Sequence, residues 1–281
     1  MNVKPEEIPA VARLVHDLCG VVLDDSKSYL IDSRLGRMAD AASCANFADF
    51  CLKARSSPTL QSLIADAITT QETLFFRDTA PFDTLQYKAI PEIIDAKEGT
   101  LSAHKLRIWS AACSTGQEPY SIAMTLCNLI SDINNWDVRI LATDISESSL
   151  MHASMGRYNN FDASRGLPEQ MRSKYFEKAP GGWRVKEKIR YMIQFDCRNL
   201  LDPMTGIGPF DIIFCRNVAI YFDMETKRDL FIRLAERLTP AGYLFVGSSE
   251  CLANLDRRFV AQHHCQSVFY QPNVKSALAV K

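Results

Sequence analysis

From Arg107 onward the chain alternates short β-favouring runs with helical periodicity, and this alternation restricts the fold more than any other feature. Arg107–Ser110, Val138–Thr143, Tyr191–Phe195, Phe210–Cys215 and Tyr243–Val246 read as strands. Helical patterns lie between them. Such alternation is the pattern of an α/β domain with a mostly parallel sheet and helices on both faces. Ligands of open α/β sheets bind outside the carboxyl ends of the strands. The first four runs here each end in polar groups, which marks that edge as the place to look.

The segment Arg107 to Met124, RIWSAACSTGQEPYSIAM, reads as strand, tight turn and helix start. Ala111 to Gly116 are small and let a ligand approach the backbone. Pro119 suits a first helical position because its missing N–H would be unpaired there. The helix start behind the turn offers unpaired N–H groups. Only Gly116 stands where a dinucleotide turn shows G-x-G-x-x-G, so an ordinary β-to-α connection explains the stretch equally well by spacing alone. Asp144, 28 residues after Gly116, ends the second run and is placed to accept the hydroxyls of a ribose. It could instead cap a helix over Ile145 to Met155. Asp196, Cys197, Arg198, Asn199 and Leu200 follow the third run, and Arg216, Asn217 and then Tyr221 the fourth. A helix from Met224 to Leu238 is punctuated by Pro240 and Gly242. Phe259 and Ser267 to Tyr270 have the character of antiparallel edge strands, and residues 272–281 are expected to fray.

Ahead of this domain, Pro5 to Glu72 is helical throughout. Ile8, Val11, Leu14, Val15 and Leu18 form one apolar face, and Gly20 is a stop. Ser26 or Ser28 could cap a second helix that carries Tyr29, Leu30, Leu35 and Met38. On it Lys27, Arg34 and Arg37, spaced by seven and three, are expected to share an exposed face. That face is either simply solvated or a docking surface for an acidic partner. Residues 1–77 carry ten acids against eight bases, so the patch is local. Thr69 to Arg77, with Phe75 and Phe76 inside it, reads either as a cover for a site or as a linker packed by its aromatics. A helix from about Thr79 to Asp95 and a loop from Gly99 to Lys105 follow. Between Arg157 and Arg190 the alternation is interrupted by PGGWRVKEKIRYMI, whose Pro180-Gly181-Gly182 marks a turn between short strands.

A net charge of −1 argues against a nucleic-acid binder. The nine cysteines form no C-x-x-C pair, which gives no sign of a metal site or a dithiol. An odd number of thiols without a signal peptide fits a reduced, cytosolic protein. No apolar run approaches the ~18–20 residues of a membrane span, and the chain is expected to be soluble.

Taken in order, RIWSAACSTGQEPYSIAM, LATDIS, FDIIFCRNVAIYFD and the late GSSE resemble the chemotaxis receptor glutamate O-methyltransferases, the CheR family. The resemblance implies a class I, Rossmann-like S-adenosylmethionine-dependent methyltransferase domain over 101–281 with a small β subdomain at about 172–194. A helical N-terminal domain over 1–72 and a linker with a connecting helix over 73–100 precede it. It implies methylation of glutamate side chains on the cytoplasmic helices of chemoreceptors, with S-adenosylhomocysteine as product. By family position, Gln71, Thr73 and Arg77 close over the methionyl end of the cofactor, Glu118 holds its ammonium and Asp144 its ribose. Asn199 and Leu200 match adenine contacts, and Gly116 and Cys215 complete the cofactor-binding set. Arg216 and Tyr221 lie beside the transferable methyl and, with Arg77, form the expected catalytic set. Family members often carry Asn where this chain has Gln71.

The resemblance also implies a cytoplasmic enzyme recruited to receptor arrays, docking through Lys27, Arg34 and Arg37, and expected to be a monomer. The loop between Phe176 and Val185 is shorter than in members that grip a receptor's C-terminal peptide tether, which implies independence of that peptide. The alternatives are a class I methyltransferase with another substrate and a non-catalytic receptor-docking protein.

Overall fold

A computed structural model describes residues 1–24, 27–252 and 257–273. Helix α1 (Ile8–Cys19) buries Val11, Leu14 and Val15 and stops at Gly20, whose φ of 74° lets its N–H return to the His16 carbonyl. The second helix, α2, runs through three contiguous segments, Ser28–Leu30, Ile31–Leu35 and Gly36–Ala41, and the middle one is π-helical. Lys27 is its N-cap residue and makes no side-chain cap bond, so Ser28 is the first helical residue and not the cap. Ser26 lies outside the described residues. Helices α3 (Phe47–Arg55) and α4 (Pro58–Ile68) are capped by Asn46 and Ser57, which accept the N–H groups of Asp49 and Leu60. The apolar faces of the four helices meet in one cluster around Val15, Ile31, Leu35, Phe47, Phe50 and Ile64.

The expectation that Lys27, Arg34 and Arg37 share an exposed face fails. A π-helical turn holds an extra residue, so positions seven apart across it lose alignment. Arg37 is exposed, but Arg34 is partly buried and donates to main-chain carbonyls at the end of α4. Lys27 pairs with Asp24 at 3.4 Å.

Helix α5 is contiguous through Thr79–Thr84, Leu85–Ala89 and Ile90–Lys97, and packs into the core of the larger domain. That domain begins with β1 (Lys105–Ala111), α6 (Gln117–Leu129), β2 (Asp137–Asp144) and α7 (Glu147–Met155). A small antiparallel sheet follows, formed by β3 (Arg157–Asn159), then helix α8 (Glu169–Tyr175), β4 (Phe176–Ala179) and β5 (Gly182–Val185), in the order β3-β5-β4. Its first strand thus lies ahead of residue 172. After the short helix α9 (Glu187–Arg190) come β6 (Ile193–Cys197), β7 (Phe210–Cys215), α10 (Met224–Ala235), β8 (Leu238–Val246), β9 (Phe259–His264) and β10 (Ser267–Pro272).

The main sheet has the order β6-β2-β1-β7-β8-β10-β9. The first five strands are parallel and the last two antiparallel. All six residues of β7 are buried, as expected of a strand covered on both faces. Two boundaries depart from the sequence reading. Tyr191 is exposed and its N–H still bonds the Glu187 carbonyl of α9, which delays β6 to Ile193. Leu238 pairs with Phe210 across an irregular register, so α10 stops at Ala235, and Pro240 and Gly242 lie inside β8. Among the described residues, no helix is long and apolar enough to cross a membrane.

Candidate active site

Strands β1 and β7 are neighbours, yet the chain leaves β1 toward β2 and leaves β7 toward β8. The crevice between their carboxyl ends is therefore the topological switch point at which ligands of such sheets bind. Registers Ala111–Thr143 and Ala111–Cys215 bring the ends of β1, β2 and β7 level. A cavity of about 320 Å³ opens there. Its floor is made by the loops after β1, β2, β6 and β7, its roof by residues 68–74, and one wall by the helical domain through Leu23, Lys27, Tyr29 and Arg34.

Two acids are built into the floor. Glu118, the second residue of α6, accepts the Ser110 hydroxyl at 2.7 Å and the Arg216 guanidinium at 3.1 Å. Burial pushes its carboxyl above the usual range, and Arg216 and Ser110 oppose that shift. Asp144, at the end of β2, accepts the N–H of Ser114 at 2.7 Å on one oxygen and that of Ser146 at 3.0 Å on the other. Its carboxyl is also pushed up by burial and held back by those amides. Ser114 reaches Asp144 because the turn passes through left-handed backbone at Ala112 and Ser114, with φ of 63° and 48°. Asp144 is not the cap of α7, since Ser146 accepts the Ser149 N–H there.

Arg216 is the most enclosed charge of the site, with its side chain 2% exposed. One Nη donates to Glu118, and the other to the Arg77 carbonyl at 2.8 Å and to Asp78 at 2.9 Å, while the guanidinium lies over the Phe82 ring. Arg77 differs. Its side chain lines the cavity, partly exposed, and donates to the Glu72 carbonyl at 2.8 Å. Tyr221 and Thr73 also line the cavity. Gln71 donates to the Thr69 hydroxyl at 2.9 Å, while its own Oε1 is buried without a partner. That orphaned acceptor, together with the two acids, fits a ligand that brings N–H and hydroxyl donors, as an amino-acid ammonium and a ribose do.

The remaining expected site residues are placed less directly. Asn199 and Leu200 line the cavity, but the Asn199 side chain is committed, donating to the Leu18 carbonyl at 2.7 Å and accepting the Leu201 N–H at 3.0 Å. It ties the loop after β6 to α1. Gly116 and Cys215 do not line the cavity. Gly116 caps α6 with φ of 93°, and a Cβ there would lie 2.8 Å from the Ala153 Cβ, so this glycine serves the turn and the close packing of α7. Cys215 is fully buried at the end of β7. Pro119 is the third residue of α6, not its first.

Three contributors escaped the sequence reading. Ser110 is a hydroxyl in the buried end of β1, among Ile108, Trp109 and Ala111, a signal that a polar partner waits in the core. Asp78, directly after Arg77, takes a left-handed φ of 54° and reaches Arg216. Gly166 has φ of 72°, and a Cβ there would meet the Phe75 carbonyl at 1.9 Å, so the loop after β3 presses on the segment that roofs the cavity.

Residues 6–69 match the CheR methyltransferase, all-alpha domain, and residues 71–267 the CheR methyltransferase, SAM binding domain. The chain is 40% identical over 259 residues to chemotaxis protein methyltransferase 1 of Pseudomonas aeruginosa, covering 90% of this chain and 93% of that one. It is 39% identical over 259 residues to chemotaxis protein methyltransferase Cher2 of Pseudomonas putida, with coverage of 90% and 93%. Against the chemotaxis protein methyltransferase of Vibrio parahaemolyticus it is 40% identical over 264 residues, covering 92% and 94%. Both domains are matched in order and the relatives along nearly their whole length, so the chain belongs to the CheR family of chemotaxis protein methyltransferases, whose cofactor is S-adenosylmethionine.

Proposed function

We propose that this methyltransferase esterifies glutamate side chains on the cytoplasmic helices of chemoreceptors. The observation that carries the reading is the division of labour between the two arginines. Both terminal nitrogens of Arg216 are engaged by Glu118, Asp78 and a carbonyl, and its buried Nε has no partner, whereas Arg77 lines the same cavity with a single main-chain contact. The cavity thus presents an anionic nucleophile with a cation. The two floor acids are engaged by Ser110, Arg216 and two amides, so neither is placed to act as a base. A glutamate needs none, because with a pKa near ~4.3 it is ionised at neutral pH.

When bound, S-adenosylmethionine would supply a methyl carbon made electrophilic by its sulfonium, the carboxylate O–C bond forming as the S–C bond breaks and S-adenosylhomocysteine leaves. Glu118 and the free Oε1 of Gln71 would accept from the cofactor's ammonium, Asp144 would accept from its ribose, and the main chain of Asn199 and Leu200 would take its adenine. Arg77 orients the incoming carboxylate and the Tyr221 ring steers it, a positioning effect of the kind that brings reactants to near-attack geometry. The roof, residues 68–74, covers the cavity and keeps water from the meeting of opposite charges. Within the small sheet, only Pro180 and Gly181 separate β4 from β5. A turn that short supports independence from a C-terminal receptor tether, and calorimetry with such a peptide is expected to show no binding.

The test is transfer of labelled methyl from S-adenosylmethionine to membranes that contain chemoreceptors. Label that base releases as methanol marks a glutamyl ester and is the expected result. Label that resists base, or none on any receptor, overturns the proposal.

A further inference from the structure

We infer that Arg34, on α2 of the helical domain, is a positioning residue for cofactor binding. The inference rests on the family's cofactor and is independent of which substrate is methylated.

The guanidinium of Arg34 stands at the carboxyl end of α4. One Nη donates to the carbonyls of Ala67 at 3.3 Å, Ile68 at 2.7 Å and Thr69 at 3.4 Å. These are groups that a helix end leaves without partners, and a cation is favoured there by the helix dipole as well. Thr69 is the residue at which the chain leaves α4 in extended conformation and becomes the roof of the cavity. Its hydroxyl bonds back to the Ala65 carbonyl at 2.9 Å and accepts Nε2 of Gln71 at 2.9 Å. The Gln71 carbonyl in turn accepts the Ser114 hydroxyl at 3.2 Å, and the Ser114 N–H donates to Asp144 at 2.7 Å. A continuous path of hydrogen bonds thus runs Arg34, Thr69, Gln71, Ser114, Asp144. It begins in the helical domain and ends on the ribose acid.

The π-helical segment Ile31–Leu35 is what aims Arg34 at this path while Arg37, three residues on, stays exposed. Arg34 also lines the cavity wall. Without it, three carbonyls lose their cationic partner and Thr69, where the chain leaves α4 for the roof, loses its anchor, so the roof's acceptor at Gln71 is less well held for the cofactor.

Titration calorimetry of S-adenosylhomocysteine into the full chain tests this with no acceptor present. Arg34→Ala is expected to raise Kd about tenfold, the size of a typical coupling between sites. Arg34→Lys should recover part of the loss, and Arg37→Ala should leave Kd within about twofold of the parent. Because Arg34 acts through Gln71, the double variant Arg34→Ala/Gln71→Ala should bind no more weakly than the weaker single variant. Unchanged Kd in Arg34→Ala overturns the inference, as do losses that multiply in the double variant. If Arg34→Ala fails to fold, Arg34→Lys carries the comparison: a smaller rise in Kd supports the inference and none overturns it. A chain that binds S-adenosylhomocysteine as described but methylates no receptor would leave this inference standing and remove the proposed substrate.

Discussion

Glu118 and Arg216 depend on each other. Arg216 is buried and Glu118 nearly so, and each would be costly to leave alone, since removing one partner of a buried ion pair costs about 3–5 kcal/mol. Arg216→Ala is therefore expected to lower stability by that order in urea unfolding and to abolish cofactor binding together with activity. Loss of activity at full stability would show that Arg216 acts only on the reaction. Arg77→Ala should behave in the opposite way. Its side chain is partly exposed and makes one main-chain bond, so stability should move by less than about 0.5 kcal/mol. Its kcat/KM for receptor methylation should nevertheless fall by about 10- to 100-fold through lost orientation. A kinetically silent Arg77→Ala would refute the assignment of the orienting cation.

Elements carry the next set of consequences. Asp223 is the N-cap of α10 and accepts the Thr226 N–H at 2.8 Å, while His16 of α1 meets it at 2.6 Å. Those contacts, the Thr226 amide first and His16 next, lower its pKa to about 2. A carboxyl depressed in the folded state contributes stability that is complete above its unfolded pKa of about 3.9 and is lost as the pH falls through the folded value. Asp223→Asn keeps a good cap but should flatten the acid decline between about pH 4 and pH 2, as followed by unfolding midpoints. An unchanged acid limb would place that sensitivity elsewhere.

The same elements show what could be read from the sequence. Phe210–Cys215 was legible to the residue because a strand buried on both faces needs a nearly continuous apolar run, which Asp211 alone interrupts here. The end of α10 was not, since Arg237 and Leu238 continue its periodicity until Leu238 is taken by pairing with β7. The π-helical turn of α2 left no compositional trace, and the spacing of Lys27, Arg34 and Arg37 therefore pointed to a face that the helix does not have. Strand ends placed Asp144 and Arg216 at the crevice. The commitment of Asn199 to Leu18 depends on a partner 181 residues away, which no local pattern announces.

At the scale of the whole molecule, the helical domain is a wall of the cavity at the switch point. Leu18 accepts from Asn199, the Val22 N–H bonds the Tyr221 carbonyl at 2.9 Å, and Asp66 of α4 accepts the Ser148 hydroxyl at 2.9 Å. Heating should therefore give one unfolding transition that S-adenosylhomocysteine moves upward as a unit, with about 2.7 kcal/mol gained at a hundredfold excess over Kd. Two transitions of which only the second moves would show that the domains unfold independently. The terminal hairpin of β9 and β10 has a separate consequence. Strand β10 covers the outer edge of β8, setting Phe269 against Phe245 and Tyr270 against Leu244, all of them buried. Without that hairpin, the buried apolar end of β8, Tyr243–Val246, would present an unpaired edge, the kind of surface on which foreign strands add. Truncation before Phe259 would then appear first as light scattering, with the crevice between β1 and β7 still formed inside the aggregating chains.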